Sequence, residues 1–131
     1  MLTAAHFILY VADQERSRAF YAAVLDASPR LHVPGMTEFD LVGGAVLGLM
    51  PAAGIRRLLG EAIPDPGGAD GVPRAELYLL REAAAQLHAR AIAAGARELS
   101  PLQPRDWGHD VAYALDPDGH VLAFASPTVA S

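Results

Sequence analysis

Residues 113–124, Tyr113-Ala114-Leu115-Asp116-Pro117-Asp118-Gly119-His120-Val121-Leu122-Ala123-Phe124, read as two extended runs joined by a tight turn. Asp, Pro and Gly together are turn residues for separate reasons: proline presets φ, aspartate bonds to the backbone just ahead of it, and glycine tolerates φ > 0. The second run has a counterpart in the first half of the chain. Gly44-Ala45-Val46-Leu47-Gly48-Leu49 matches Gly119-His120-Val121-Leu122-Ala123-Phe124 in its pattern of small and apolar residues. An offset of about 70 residues sets His6 against Glu76 and Leu25-Asp26-Ala27 against Ala94-Gly95-Ala96.

The elements before these runs repeat in the same order. The first half opens on the strand-like His6-Phe7-Ile8-Leu9-Tyr10-Val11, followed by Asp13 as an N-cap and a helix with Phe20, Tyr21, Val24 and Leu25 in one stripe. Extended segments follow near 29–33, 36–42 and 45–50, separated by Pro34-Gly35 and Gly43-Gly44. The second half opens on Ala75-Glu76-Leu77-Tyr78-Leu79-Leu80, and its helix places Leu87, Ala91 and Ile92 on one side before Gly95 caps it. Further extended runs are expected near 97–103, 110–115 and 120–125. The fold class is therefore α+β, two βαβββ modules in one domain spanning residues 1–131: module one at 3–51, a Pro- and Gly-rich linker or flap at 52–73, and module two at 74–127.

Composition closes off several chemistries. All ten basic residues are arginine, so there is no lysine for a Schiff base or a phosphate-binding P-loop. The absence of cysteine removes thiolate nucleophiles, disulfides and thiolate metal sites. A net charge of −5 with scattered arginines argues against nucleic acid as a partner. No apolar stretch approaches the roughly 20 residues of a membrane span, and the N-terminus lacks a signal-peptide pattern, so a cytoplasmic protein is expected. No Gly-x-Ser-x-Gly elbow and no dinucleotide fingerprint is present.

The opening strand with His6, the Ser17-x-x-Phe20-Tyr21-x-x-Val24-Leu25 helix and Tyr113-x-x-Asp116-Pro117-Asp118-Gly119-His120 together resemble the vicinal oxygen chelate superfamily of glyoxalases, bleomycin-resistance proteins and extradiol dioxygenases. Pro34-Gly35-Met36-Thr37-Glu38-Phe39 and Pro73-Arg74-Ala75-Glu76-Leu77-Tyr78-Leu79 look like a bacterial, glyoxalase-like subgroup. The resemblance implies curled mixed sheets forming a cup, a small-molecule ligand, frequent homodimers and often a divalent metal such as Fe, Mn, Ni or Zn. The family's ligand positions fall on His6, Gly48, Glu76 and Ala123, of which only His6 and Glu76 carry a donor. Such an ion usually takes three or more protein ligands, and a third would have to come from His109, Asp110 or His120.

With His6 and Glu76 facing inward, period-two alternation turns Ile8, Tyr10, Tyr78 and Leu80 inward as well, together with Val46, Gly48, Met50, Val121, Ala123 and Ala125. Phe7, Leu9, Leu77 and Leu79 then face the helices. His6 and Glu76 read as an acid–base pair, as metal ligands, or as a hydrogen-bonded remnant of a metal site. Trp107 reads as a stacking platform for a flat ligand or as an interface anchor, with Arg105 beside it available to an anion. Arg56-Arg57 reads as a flap clamp or a solvated pair. Two functions follow: a metal-poor protein binding a small organic molecule, sequestering it or acting by acid–base chemistry; and a metal-dependent lyase, isomerase or dioxygenase of the glyoxalase type. A partner-binding module with Tyr10, Met50 and Tyr78 filling the cup is the third class.

Overall fold

The computed structural model describes residues 1–69, 71–73 and 75–129. Arg74, in the second of the subgroup segments, lies outside the described residues. The element order is β1 (Ala5–Val11), α1 (Gln14–Leu25), β2 (Leu31–Val33), β3 (Met36–Asp40), β4 (Ala45–Pro51), α2 (Ala52–Leu59), β5 (Glu76–Leu80), α3 (Ala84–Ala93), β6 (Arg97–Pro104), β7 (His109–Leu115) and β8 (Val121–Pro127). Each βαβββ set makes its own mixed four-stranded sheet, ordered β1-β4-β3-β2 and β5-β8-β7-β6, so the internal repeat is also a repeat of topology. The chain forms two compact units, one on each sheet.

Local chemistry explains most boundaries. The Asp13 side chain accepts from the N–H of Arg16 at 3.0 Å and starts α1, and Asp26 in the left-handed region ends it. In α1 the buried residues are Ser17, Phe20, Tyr21 and Val24, with the Phe20 and Tyr21 rings edge to face at 5.0 Å. The 36–42 run stops early, at Asp40, because Val42–Gly44 turns as a 3-10 segment with Gly43 at φ 64°. The linker contains α2, which buries Ile55 and leaves Leu58 exposed.

In β1 and β4, His6, Ile8 and Tyr10 stand opposite Val46, Gly48 and Met50 in parallel register, with Glu38 of β3 beyond Gly48. This side is called the front of the first sheet. The reverse carries buried Val11, Thr37, Phe39, Leu47 and Leu49. Phe7, expected against a helix, is instead 65% exposed, because β1 is an edge strand covered only toward Val11. In the second sheet, Glu76 and Tyr78 stand opposite Val121 and Ala123, and Tyr113 stands on the far side of Ala123. That side is its front.

Behind the second sheet, α3 packs on β7 and β8 through Ala84, Leu87 and Ala91. Ile92, expected on the same stripe, is exposed, since it lies about 100° around the helix from Ala91. Gly95 at φ 110° ends the helix as expected. The edge strand β6 carries Pro101 and Pro104 and shifts register twice, which suits a strand with no neighbour on its outer side.

Candidate functional site

On the front of the first sheet, the carboxylate nearest His6 belongs to β3. The Nδ1 of His6 is 3.5 Å from Oε2 of Glu38, whose other oxygen is 3.3 Å from Nε of Arg30. Arg30 also reaches Asp40 at 3.1 Å. Gly48, between Ile8 and Glu38 in the register, is buried, and a Cβ added there would meet Ile8 Cγ1 at 3.0 Å and Met36 Sδ at 3.4 Å. Ile8 and Met36 therefore occupy the space into which a metal-binding side chain at this position would grow.

On the front of the second sheet, Val111, Ala123 and Ala125 form a buried apolar floor with Tyr113 packed against it. Polar groups converge along its edge. The Tyr78 hydroxyl lies 2.5 Å from Nδ1 of His109 and accepts the indole N–H of Trp107 at 2.9 Å. β8 stands between β5 and β7, and its small Ala123 and Ala125 let Tyr78 reach across to His109. Trp107 is held by the turn before β7, where Gly108 takes φ 90° and accepts the Thr128 N–H.

Arg105 closes the other side. It donates to the Ser100 hydroxyl at 2.7 Å and the Val111 carbonyl at 2.9 Å, and its guanidinium lies 5.2 Å from the centre of the Tyr113 ring. Much of its capacity for an anion is thus committed internally. Burial pushes the Tyr113 phenol above its ordinary value; the Glu76 carboxylate adds to the rise, Arg105 opposes it and Tyr78 adds again.

His6 and Glu76, paired in the sequence reading, belong to different units, and each has polar company within its own: Glu38 for His6 and Tyr113 for Glu76. Ile8, Tyr10 and Met50 line the front of the first sheet beside Gly48, as alternation predicts. Two of the candidate third ligands, His109 and Asp110, are engaged through their side chains. His109 bonds to Tyr78 and Asp110 accepts the Thr128 hydroxyl at 2.8 Å, while His120 stands in the turn before β8, its backbone N–H donated to Asp116. Among the described residues no three His, Asp or Glu side chains come together as a metal site. With no donor at Gly48 or Ala123, the side chains present do not fit a resident divalent ion.

The groups that sequence reasoning missed are Glu38, Tyr113 as a neighbour of Glu76, and the bonding of His109 to Tyr78. Period-two alternation on β3 and β7 carries part of that signal. A shallow cavity of about 250 Å³ lies elsewhere in the first unit, lined by Gln14, Glu15, His32, Val33 and Pro34. Its polar groups are spent on one another. Gln14 donates to Val33 O and Thr37 Oγ1 and accepts from Gly35 N–H, while His32 sits 2.7 Å from Thr37 Oγ1 and 3.2 Å from Glu15. That network fastens α1 to the β2–β3 hairpin.

Residues 3–124 match the family described as the Glyoxalase/Bleomycin resistance protein/Dioxygenase superfamily. Among curated proteins nothing matches. Among solved structures, a glyoxalase-related enzyme from Fulvimarina pelagi is 25% identical with a TM-score of 0.79, over 96% of this chain and 88% of that one. A glyoxalase/bleomycin resistance protein/dioxygenase family enzyme from Burkholderia phytofirmans PsJN is 19% identical with a TM-score of 0.80, over 95% and 98%. A glyoxalase/bleomycin resistance protein/dioxygenase from Nocardioides, 20% identical, has a TM-score of 0.76 over 100% and 87%.

Proposed function

Because the chain belongs to the Glyoxalase/Bleomycin resistance protein/Dioxygenase superfamily, we propose that it binds a small organic molecule on the front of its sheets without a resident metal. The supporting observation is the front of the second sheet: an apolar floor of Val111, Ala123 and Ala125, edged by Tyr78, His109, Tyr113 and Trp107. Apolar walls with a few convergent polar groups are the ordinary make-up of a small-molecule site. Ala123 keeps that floor low, and Arg105 lies against Tyr113 at its rim; on the first sheet, Ile8, Tyr10 and Met50 present apolar surface around Gly48. His6 and Glu76 supply acid–base groups in this reading and hold no metal.

The experiment is metal analysis of protein purified without chelator, together with fluorescence of Trp107, the chain's single tryptophan, during titration with small planar aromatics. Well under one divalent ion per chain and saturable quenching are expected. One tightly held ion per chain would overturn the reading.

We also infer that a second copy of the chain covers the edge strands. Phe7 is 65%, Ile8 43% and Leu80 54% exposed, a density of bare apolar side chains on β1 and β5 that isolated sheet edges rarely carry.

A further inference from the structure

We propose that Tyr78, Trp107 and His109 form a proton relay that takes up an acidic hydroxyl compound, a phenol or an enol, as its anion. The proposal rests on the small-molecule reading above and specifies its ligand. It follows from counting hydrogens. The indole N–H of Trp107 is a donor only, so at 2.9 Å the Tyr78 oxygen must accept it. The single hydroxyl proton of Tyr78 is then free to go to Nδ1 of His109, 2.5 Å away, which makes that nitrogen the acceptor and puts the neutral imidazole's proton on Nε2.

In this state one lone pair remains on the Tyr78 oxygen. The residue is 36% exposed, so a ligand can approach it. The vacant valence accepts a proton and offers none, so a ligand oxygen that only accepts gains nothing there. A ligand hydroxyl does gain. Its proton passes to the Tyr78 oxygen as the Tyr78 proton passes to Nδ1 of His109. The O–H bond of the ligand breaks, an N–H bond forms, and Tyr78 keeps one proton throughout. The product state holds every valence: Trp107 and imidazolium His109 both donate to the Tyr78 oxygen, whose own O–H donates to the ligand anion. Net charge is unchanged, so the site needs no added cation or metal.

The groups facing the relay come from β5, β7, β8 and the loop before β7. Glu76 lies two residues before Tyr78 on the same face of β5. On β7 the front neighbours of His109 are Val111 and the neutral phenol Tyr113, and β8 presents Pro127 opposite it. The loop carrying Trp107 adds Arg105, held by Ser100 and the Val111 carbonyl, and Asp106. The floor of Val111, Ala123 and Ala125 accommodates the flat apolar body of the compound.

The test uses the intact chain and 4-nitrophenol, whose phenolate is coloured, with 4-nitroanisole as the analogue lacking the proton. Binding is read by equilibrium dialysis and ionisation by absorbance, across pH 5 to 8. Bound nitrophenol is expected to ionise about one pH unit lower than free, a tenfold shift. Tyr78→Phe and His109→Gln should each lose that shift and bind nitrophenol no more tightly than nitroanisole, which should bind less tightly than nitrophenol to the wild type. If the wild type binds nitrophenol in its neutral form, the relay is wrong and the small-molecule reading stands. If neither compound binds, the relay is wrong and the small-molecule reading loses its support as well. The wild-type spectrum decides the relay even where a variant fails to fold.

Discussion

Glu38 sets a carboxylate oxygen 3.5 Å from Nδ1 of His6, on the neighbouring side of Gly48, and thereby gives this histidine an acidic neighbour within its own sheet. The pair is half open to solvent, with side-chain exposures of 38% and 14%. Exposed or partly exposed pairs of this kind contribute about 0–1 kcal/mol. His6→Ala should therefore lower stability by less than about 1 kcal/mol in urea unfolding. A loss of several kcal/mol would make His6 a structural residue.

Gly48→Ala should destabilise the first unit by about 1–3 kcal/mol, the usual cost of overpacking. The new methyl would sit 3.0 Å from Ile8 Cγ1 and 3.4 Å from Met36 Sδ. Pairing the change with Ile8→Ala should relieve most of that cost. Additive effects in a double-mutant cycle would show that the crowding lies elsewhere.

Asp116 is 5% exposed, and its Oδ1 accepts from the backbone N–H of Asp118 at 2.9 Å and of His120 at 2.8 Å. Asp116→Ala leaves both donors without that acceptor, at a cost of about 2–3 kcal/mol for charge-assisted bonds. Asp116→Asn keeps an acceptor oxygen and should cost less. Equal losses for the two variants in thermal unfolding would argue against the turn as the cause.

Tyr113 should ionise above the ordinary tyrosine range in an alkaline absorbance titration, because burial, Glu76 and Tyr78 raise its phenol against the pull of Arg105. The sign for stability follows directly. Above the unfolded-state value the folded protein holds a proton that the unfolded chain has released, so stability falls as pH climbs past about 10. In Tyr113→Phe this contribution to the alkaline decline should vanish, along with the late absorbance step. A titration in which all components ionise together would refute the assignment.

Phe7→Glu should convert a dimer into a monomer in sedimentation velocity, since it places a charge among the exposed apolar side chains of β1. Its effect on the stability of the isolated unit should be within about 0.5 kcal/mol, as for most exposed substitutions. A wild-type chain that sediments as a monomer at every concentration would remove the inference.

Much of the fold is legible in the chain because its signals are local. Alternation along β1, β4, β5 and β8, the N-cap at Asp13 and the Asp116–Gly119 turn each depend on neighbours in sequence. The inward set built on His6 and Glu76 follows from the same period. The site's bonds are not local. Tyr78 meets Trp107 and His109 across 29 and 31 residues, and only because β8 lies between β5 and β7 with alanines where it is crossed. His6 and Glu38 meet through the β3–β4 register, which no single strand's pattern encodes. Ile92 misleads for a simpler reason: an apolar residue one step from the buried stripe of a helix looks like part of it.

The turn held by Asp116 also governs how the gene can change. Its two backbone bonds fix the count of residues between Leu115 and Val121, which are register partners. Inserting or deleting one residue there would slide β8 by one and exchange its two faces. Ala123 and Ala125 would turn toward α3, and Leu122 and Phe124 would stand in front, under Tyr78. Length in this short stretch is therefore under tighter constraint than residue identity, and frame-preserving indels should be tolerated in the 52–73 linker well before they are tolerated here.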